Sequence, residues 1–193
     1  AALKRLLVDS GIDAERDHVQ IIRVPGTDNP GASFGVMAAA ALESGQIDGF
    51  WANALGSETA VRRGVGKIVV DVRRGEGPSS ARNYTFAALI TTEALIAQTF
   101  EQVAAAVRAI AKAHRTLRAD PGRATEVGRR RFPPAAAEMI AALVERDVPF
   151  YDPVVHEEAV RATNEFARAL GLLSEPVAYD RVVDVRFRPL WNL

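Results

Sequence analysis

Leu3, Leu6 and Leu7 recur at helical spacing and Gly11 follows as a left-handed stop, so the chain opens on a helix. Val19 to Val24 (VQIIRV) is a short, β-branched apolar run closed by Pro25-Gly26, which predicts a strand, and Thr27 to Gly31 reads as a loop. Ser33 can cap a helix running to Ser44, with Gly45 as its stop. Ile47 to Ala52 predicts a second strand, Ser57 the start of a short helix ending at Gly64, and Lys67 to Val72 a third strand. This alternation of helix and strand argues for a parallel sheet. The polar stretch Arg73 to Arg82 (RRGEGPSSAR) reads as a linker, and Tyr84 to Thr91 as a further strand. Beyond it the period changes. Phe100, Val103, Ala104, Val107, Ile110, Ala111 and Leu117 mark one face of a long helix. Helices are also predicted after Asp120-Pro121, after Pro133-Pro134, and from His156 to Leu170. The front half reads as α/β and the back half as helical.

Composition narrows the function classes. The 193 residues suffice for one ordinary domain or two small lobes, and 48 % apolar content can supply a core. Basic and acidic side chains number 24 each, so the basic excess expected of a protein that lives on nucleic acid or anionic lipid is missing. Arg129-Arg130-Arg131 therefore reads as a solvated helix end. Cysteine is absent, which removes disulfides, thiol catalysis and thiolate metal sites. Ala2 to Leu7 already has the character of a helix interior, which suggests sequence upstream of Ala1.

Catalytic patterns are scarce. His18, His114 and His156 are far apart and form no HExxH or other metal spacing, so no metal is expected. No nucleophile elbow, Walker loop or dinucleotide fingerprint occurs. Arg63 to Lys67 (RGVGK) lies between a helix and a strand, the wrong order for a phosphate cradle. No catalytic residue and no cofactor is assigned.

The densest polar and aromatic group is Gly45 to Glu58 (GQIDGFWANALGSE). Trp51 offers a flat apolar face with one N–H donor, and Asn53 two donors and an acceptor. The Ser57 helix start would add backbone N–H groups that favour an anion. Equally, Trp51 can be core and Asn53 a turn residue. Ser33 and Phe34 begin a helix after a Gly/Pro loop and could face a ligand, or serve as cap and core. Asn83, Tyr84 and Thr85 could contribute contacts at a crossover, or simply start a strand. The aromatics of Phe150 to Pro153 (FYDP) are read as packing.

Three segments, ALKRLLVDSGID, ALESGQIDGFWANALGSETAVRRGVGKIVVDV and ALGLLSEPVAYDRVVD, resemble in their order the substrate-binding proteins of ABC importers of the nitrate/sulfonate/taurine type, a group that includes binders of thiamine-pyrimidine precursors. The resemblance implies a type II periplasmic-binding fold of two α/β lobes that close by a hinge on a small molecule. It assigns residues 1–82 to the second lobe without its first strand, 83–99 to the crossover, and 100–193 to the helical part of the first lobe. Trp51, Asn53, Ser33, Phe34, Asn83, Tyr84 and Thr85 would line the cleft. The implied ligand is a small organic anion such as a sulfonate, nitrate or carboxylate, the partner a permease, and the location periplasmic or extracytoplasmic. No covalent chemistry is implied. The alternatives are an enzyme on the same fold, of the pyrimidine or menaquinone routes, and a ligand-sensing effector domain. The former would need an iron-binding cysteine motif or a placed acid/base group, and the latter would lack the long helical half.

Overall fold

The computed structural model describes residues 1–28, 33–83 and 87–192. Nine α-helices follow one another among these residues: α1 (Ala2–Asp9), α2 (Phe34–Glu43), α3 (Ala54–Arg62), α4 (Ser79–Asn83), α5 (Glu93–Ala119), α6 (Gly122–Arg131), α7 (Pro134–Asp147), α8 (Glu157–Ala169) and α9 (Tyr179–Val182). Three 3₁₀ turns, Val72–Arg74, Val148–Phe150 and Val185–Leu190, complete the set.

The expected α/β, type II periplasmic-binding fold is overturned, because no strand forms among the described residues. Residues 19–24, 47–52, 67–71 and 87–91 are irregular and contribute no ladder among the described backbone hydrogen bonds. A β-branched run makes extended backbone favourable, but a strand exists only when a neighbour accepts and donates its hydrogen bonds. Here Ile47, Trp51 and Asp71 pack inward while much of the remaining apolar chain of these segments meets solvent. Val69 is 89 % exposed and Ile90 86 %, with Ile22 and Leu89 also open.

The helices that the period predicts form, with corrections at their ends, while α4 arises at the end of the stretch read as a linker and α9 in a tail where no helix was expected. Asn53, not Ser57, caps α3, since its Oδ1 accepts the Gly56 N–H at 3.0 Å, and Ser57 lies within the first turn. Thr92 caps α5 eight residues ahead of Phe100, and non-helical backbone at Thr99 (φ −138°, ψ 45°) kinks the joined helix there.

The helices α2 and α3 run side by side in the same direction. At one end, a Cβ on Gly35 would lie 2.6 Å from the Gly56 Cα, so only hydrogen fits between the two backbones. At the other end Arg63 approaches Glu43 at 3.9 Å. Both helices stop there on left-handed glycines, Gly45 and Gly64, each at φ 70°. In each stop the glycine N–H and the next N–H bond back to Leu42 and Ala41, or to Val61 and Ala60. The two parallel helices are joined by the returning segment 44–53.

Packing is light. Ile96, Val103, Ala104 and Phe187 form one apolar cluster, with the Phe100 ring stacked on Phe187 at 4.9 Å between centroids. Leu6, Val72 and Ala81 form a second, covered by Leu3 and Trp51. Many of the most deeply buried side chains are alanines, among them Ala38, Ala39, Ala81 and Ala104. The accessible surface is 12900 Å², against about 8,900 Å² for a compact monomer of 20.8 kDa.

Candidate functional site

The place where expected site residues meet is the shared N-terminal end of α2 and α3. The Gly35–Gly56 approach brings Ser33 and Phe34 at the start of α2 beside Asn53 at the start of α3. First-turn amides of both helices thus emerge at one end. The Met37 and Ser57 N–H groups bond back to the Ser33 and Asn53 carbonyls at 3.0 and 3.1 Å, and the Asn53 side chain satisfies Gly56. The Ser33 side chain makes no cap hydrogen bond and Ser33 is exposed, and the first amides of a helix have no partner within the helix itself. Phe34, 40 % exposed, meets the Phe50 ring edge-on at 6.4 Å and borders this end with an apolar rim. Two parallel helix starts side by side add their positive dipole ends, an arrangement that attracts an anion.

The other residues fall elsewhere. Trp51 is half-buried and packs over Leu6, Val72 and Ala81, so it fills the gap between α1, α4 and the 72–74 turn. Asn83 donates to Glu158 Oε1 at 3.1 Å and ties α4 to α8. Tyr84 and Thr85 lie outside the described residues. Two hollows, of about 180 Å³ beside Leu7, Ile12 and Ile21 and about 420 Å³ between α6 and α7, include none of the expected site residues in their linings.

Sequence reasoning missed a charged clamp. Arg73 donates to Asp147 at 2.8 Å and to Asp71 at 2.6 Å, and Arg146 to Asp147 at 2.9 Å and to Glu58 at 3.0 Å. Glu58 also pairs with Arg62 one turn along α3. Residues 73–76, read from composition as linker, are therefore anchored to α7 and, through Arg146, to α3. Burial works against the Arg73 charge, but the Asp71 hydrogen bond and the Asp71 and Asp147 charges outweigh it and raise its pKa. Burial likewise opposes the Asp147 carboxylate, yet the Arg146 hydrogen bond and the Arg73 and Arg146 charges bring its pKa down. Every carboxylate and guanidinium here has a partner, so the clamp reads as structural. The only signal in the sequence was the matched charge count, which names no partners.

Among the described residues no group of three or more histidine, aspartate or glutamate side chains is placed to hold a metal, and no helix is long and apolar enough to cross a membrane. Comparison with protein-family models, curated proteins and solved structures finds no match to this chain.

Proposed function

We propose that this chain captures a small organic anion, as the solute-binding component of an importer would, and that the anionic head group sits at the joined N-termini of α2 and α3. The observation that supports the reading is the contact of Gly35 with Gly56, which brings two helix starts to one point. Backbone N–H groups of α2, the Ser33 hydroxyl and the Asn53 amide N–H₂ supply donors for sulfonate, carboxylate or nitrate oxygens. Phe34 and Phe50 supply a rim for an alkyl or aryl body. Trp51, packed over the α1 side, is assigned no ligand contact. Delivery to a permease in an extracytoplasmic space belongs to the same proposal and rests on the sequence resemblance.

The test is thermal unfolding against a panel of alkyl and aryl sulfonates, carboxylates, nitrate and neutral pyrimidines. A ligand at a hundred times its dissociation constant adds about 2.7 kcal/mol. The expected result is a selective shift with one anionic class, reduced in Ser33→Ala. A shift confined to neutral pyrimidines, or none with any anion at millimolar concentration, overturns the reading.

A further inference from the structure

The contact between α5 and the segment that follows α7 contains a histidine with one ring nitrogen buried and unbonded among the described residues. His114, on α5, lies with its ring tilted on Tyr151 at 5.3 Å between centroids, and its Nδ1 is buried without a hydrogen-bond partner among the described residues. One turn further along α5, Arg118 donates to the Tyr151 carbonyl. These two α5 side chains hold the Val148–Phe150 turn and the residues after it against the helix.

The charged surroundings set the response to a proton. Arg118 on α5 faces the ring as a cation, and the carboxylate that could answer it is Asp152, from the segment after the turn. Both oxygens of Asp152 are engaged: Oδ1 accepts the Val154 N–H at 2.9 Å, and Oδ2 pairs with Nε2 of His156, at the start of α8, at 2.8 Å. Asp147, at the end of α7, acts on Tyr151 but is held by Arg73 and Arg146. A proton on His114 would therefore add a second cation beside Arg118 and put a buried N–H where nothing accepts it.

We propose that His114 is a proton-sensitive latch: neutral, it holds residues 148–152 on α5, and protonated, it releases them. Desolvation first, and the Arg118 charge second, lower the His114 pKa in the folded chain, with Asp152 acting weakly in the opposite sense. The unfolded or opened chain then takes up the proton before the closed one does. The closed state is accordingly at full strength above the ordinary histidine range and weakens as pH falls through it.

Amide hydrogen exchange of the whole chain, corrected for intrinsic rates, tests this at pH 7.5 and 5.5. Protection of the Tyr151 amide, which donates to the Val148 carbonyl at 3.2 Å, is expected to fall about fivefold or more on acidification in the wild type, with α2 and α3 unchanged, and to stay within about twofold in His114→Gln. Protection that is flat or rises in the wild type overturns the latch, the latter because His114 would have captured Asp152. An equal fall in both proteins also overturns it. Should His114→Gln not fold, the His114 ring resonance of the wild type decides: a titration midpoint below about 6.5 is expected, and one at or above it overturns the proposal.

Discussion

Asn53 and Trp51 stand two residues apart and do separate work. Asn53 caps α3 through the Gly56 N–H, so Asn53→Ala is expected to lower stability by about 1 kcal/mol, with Asn53→Asp or Asn53→Ser restoring most of it. Trp51→Ala removes the cover from Leu6, Val72 and Ala81 and is expected to cost about 2 kcal/mol, below the range for a fully buried aromatic because the ring is half-exposed. Urea unfolding measures both. A Trp51→Ala protein of wild-type stability would remove the ring from that cluster. At Asp147, three arginines approach one buried carboxylate. Asp147→Asn leaves them without their shared counter-charge and is expected to cost about 2–3 kcal/mol, less than for a fully buried pair because the arginines reach water. The pH dependence has a definite sign. The Asp147 pKa is lower in the folded chain than in the unfolded one, so its stabilisation is present above about pH 4 and lost as pH falls through the folded value. The acid limb of stability against pH is expected to be shallower in Asp147→Asn.

At the scale of elements, the pairing of α2 with α3 depends on two missing side chains. A methyl on Gly35 would collide with the Gly56 backbone, and one on Gly56 would come within 2.8 Å of the Ala52 Cβ. Alanine improves helix propensity by about 1 kcal/mol, but the collision is with backbone that cannot swing aside. Gly35→Ala is therefore expected to lower stability by about 1–3 kcal/mol and to weaken any anion that binds at the joined helix starts. A stabilised Gly35→Ala variant would show that the helices are not in this contact. The start of α3 was misread by four residues because Ser57 and Asn53 are both good caps; Asn53 prevails by reaching the Gly56 N–H, whereas the Ser57 hydroxyl bonds back to the Asn53 carbonyl at 3.0 Å.

For the whole molecule, the consequence of the absent ladders is exposed apolar chain. Val69 and Ile90 stand almost fully open on irregular segments without ladder partners among the described residues, and unpaired apolar backbone of β-forming sequence can pair with other chains. The protein is expected to bind a hydrophobic dye and to self-associate with rising concentration. Val69→Lys with Ile90→Lys is expected to reduce both effects at unchanged melting temperature, since neither side chain is packed. A loss of stability in that double variant, read by calorimetry, would mean that these side chains are buried. The halves of the chain are joined by Arg73 with Asp147, Glu58 with Arg146 and Asn83 with Glu158, pairs separated by more than seventy residues.

Helical period, caps and glycine stops could be read along the chain because they are local: the partners of Leu3, Asn53 or Gly64 lie within a turn or two. That is why helices emerged where Leu3, Ser33 or His156 announced them, and why Ser33 was legible as a helix start. The fate of VQIIRV and KIVVDV was not legible, because apolar β-branched content favours extension while a strand requires a partner whose position depends on the rest of the fold. The same holds for Trp51, whose residue type suits a ligand or a core equally until Leu6 and Ala81 are placed beneath it. It holds also for the clamp around Asp147 and the meeting of Gly35 with Gly56. Each joins groups remote in sequence, and no spacing along the chain encodes a distance through space.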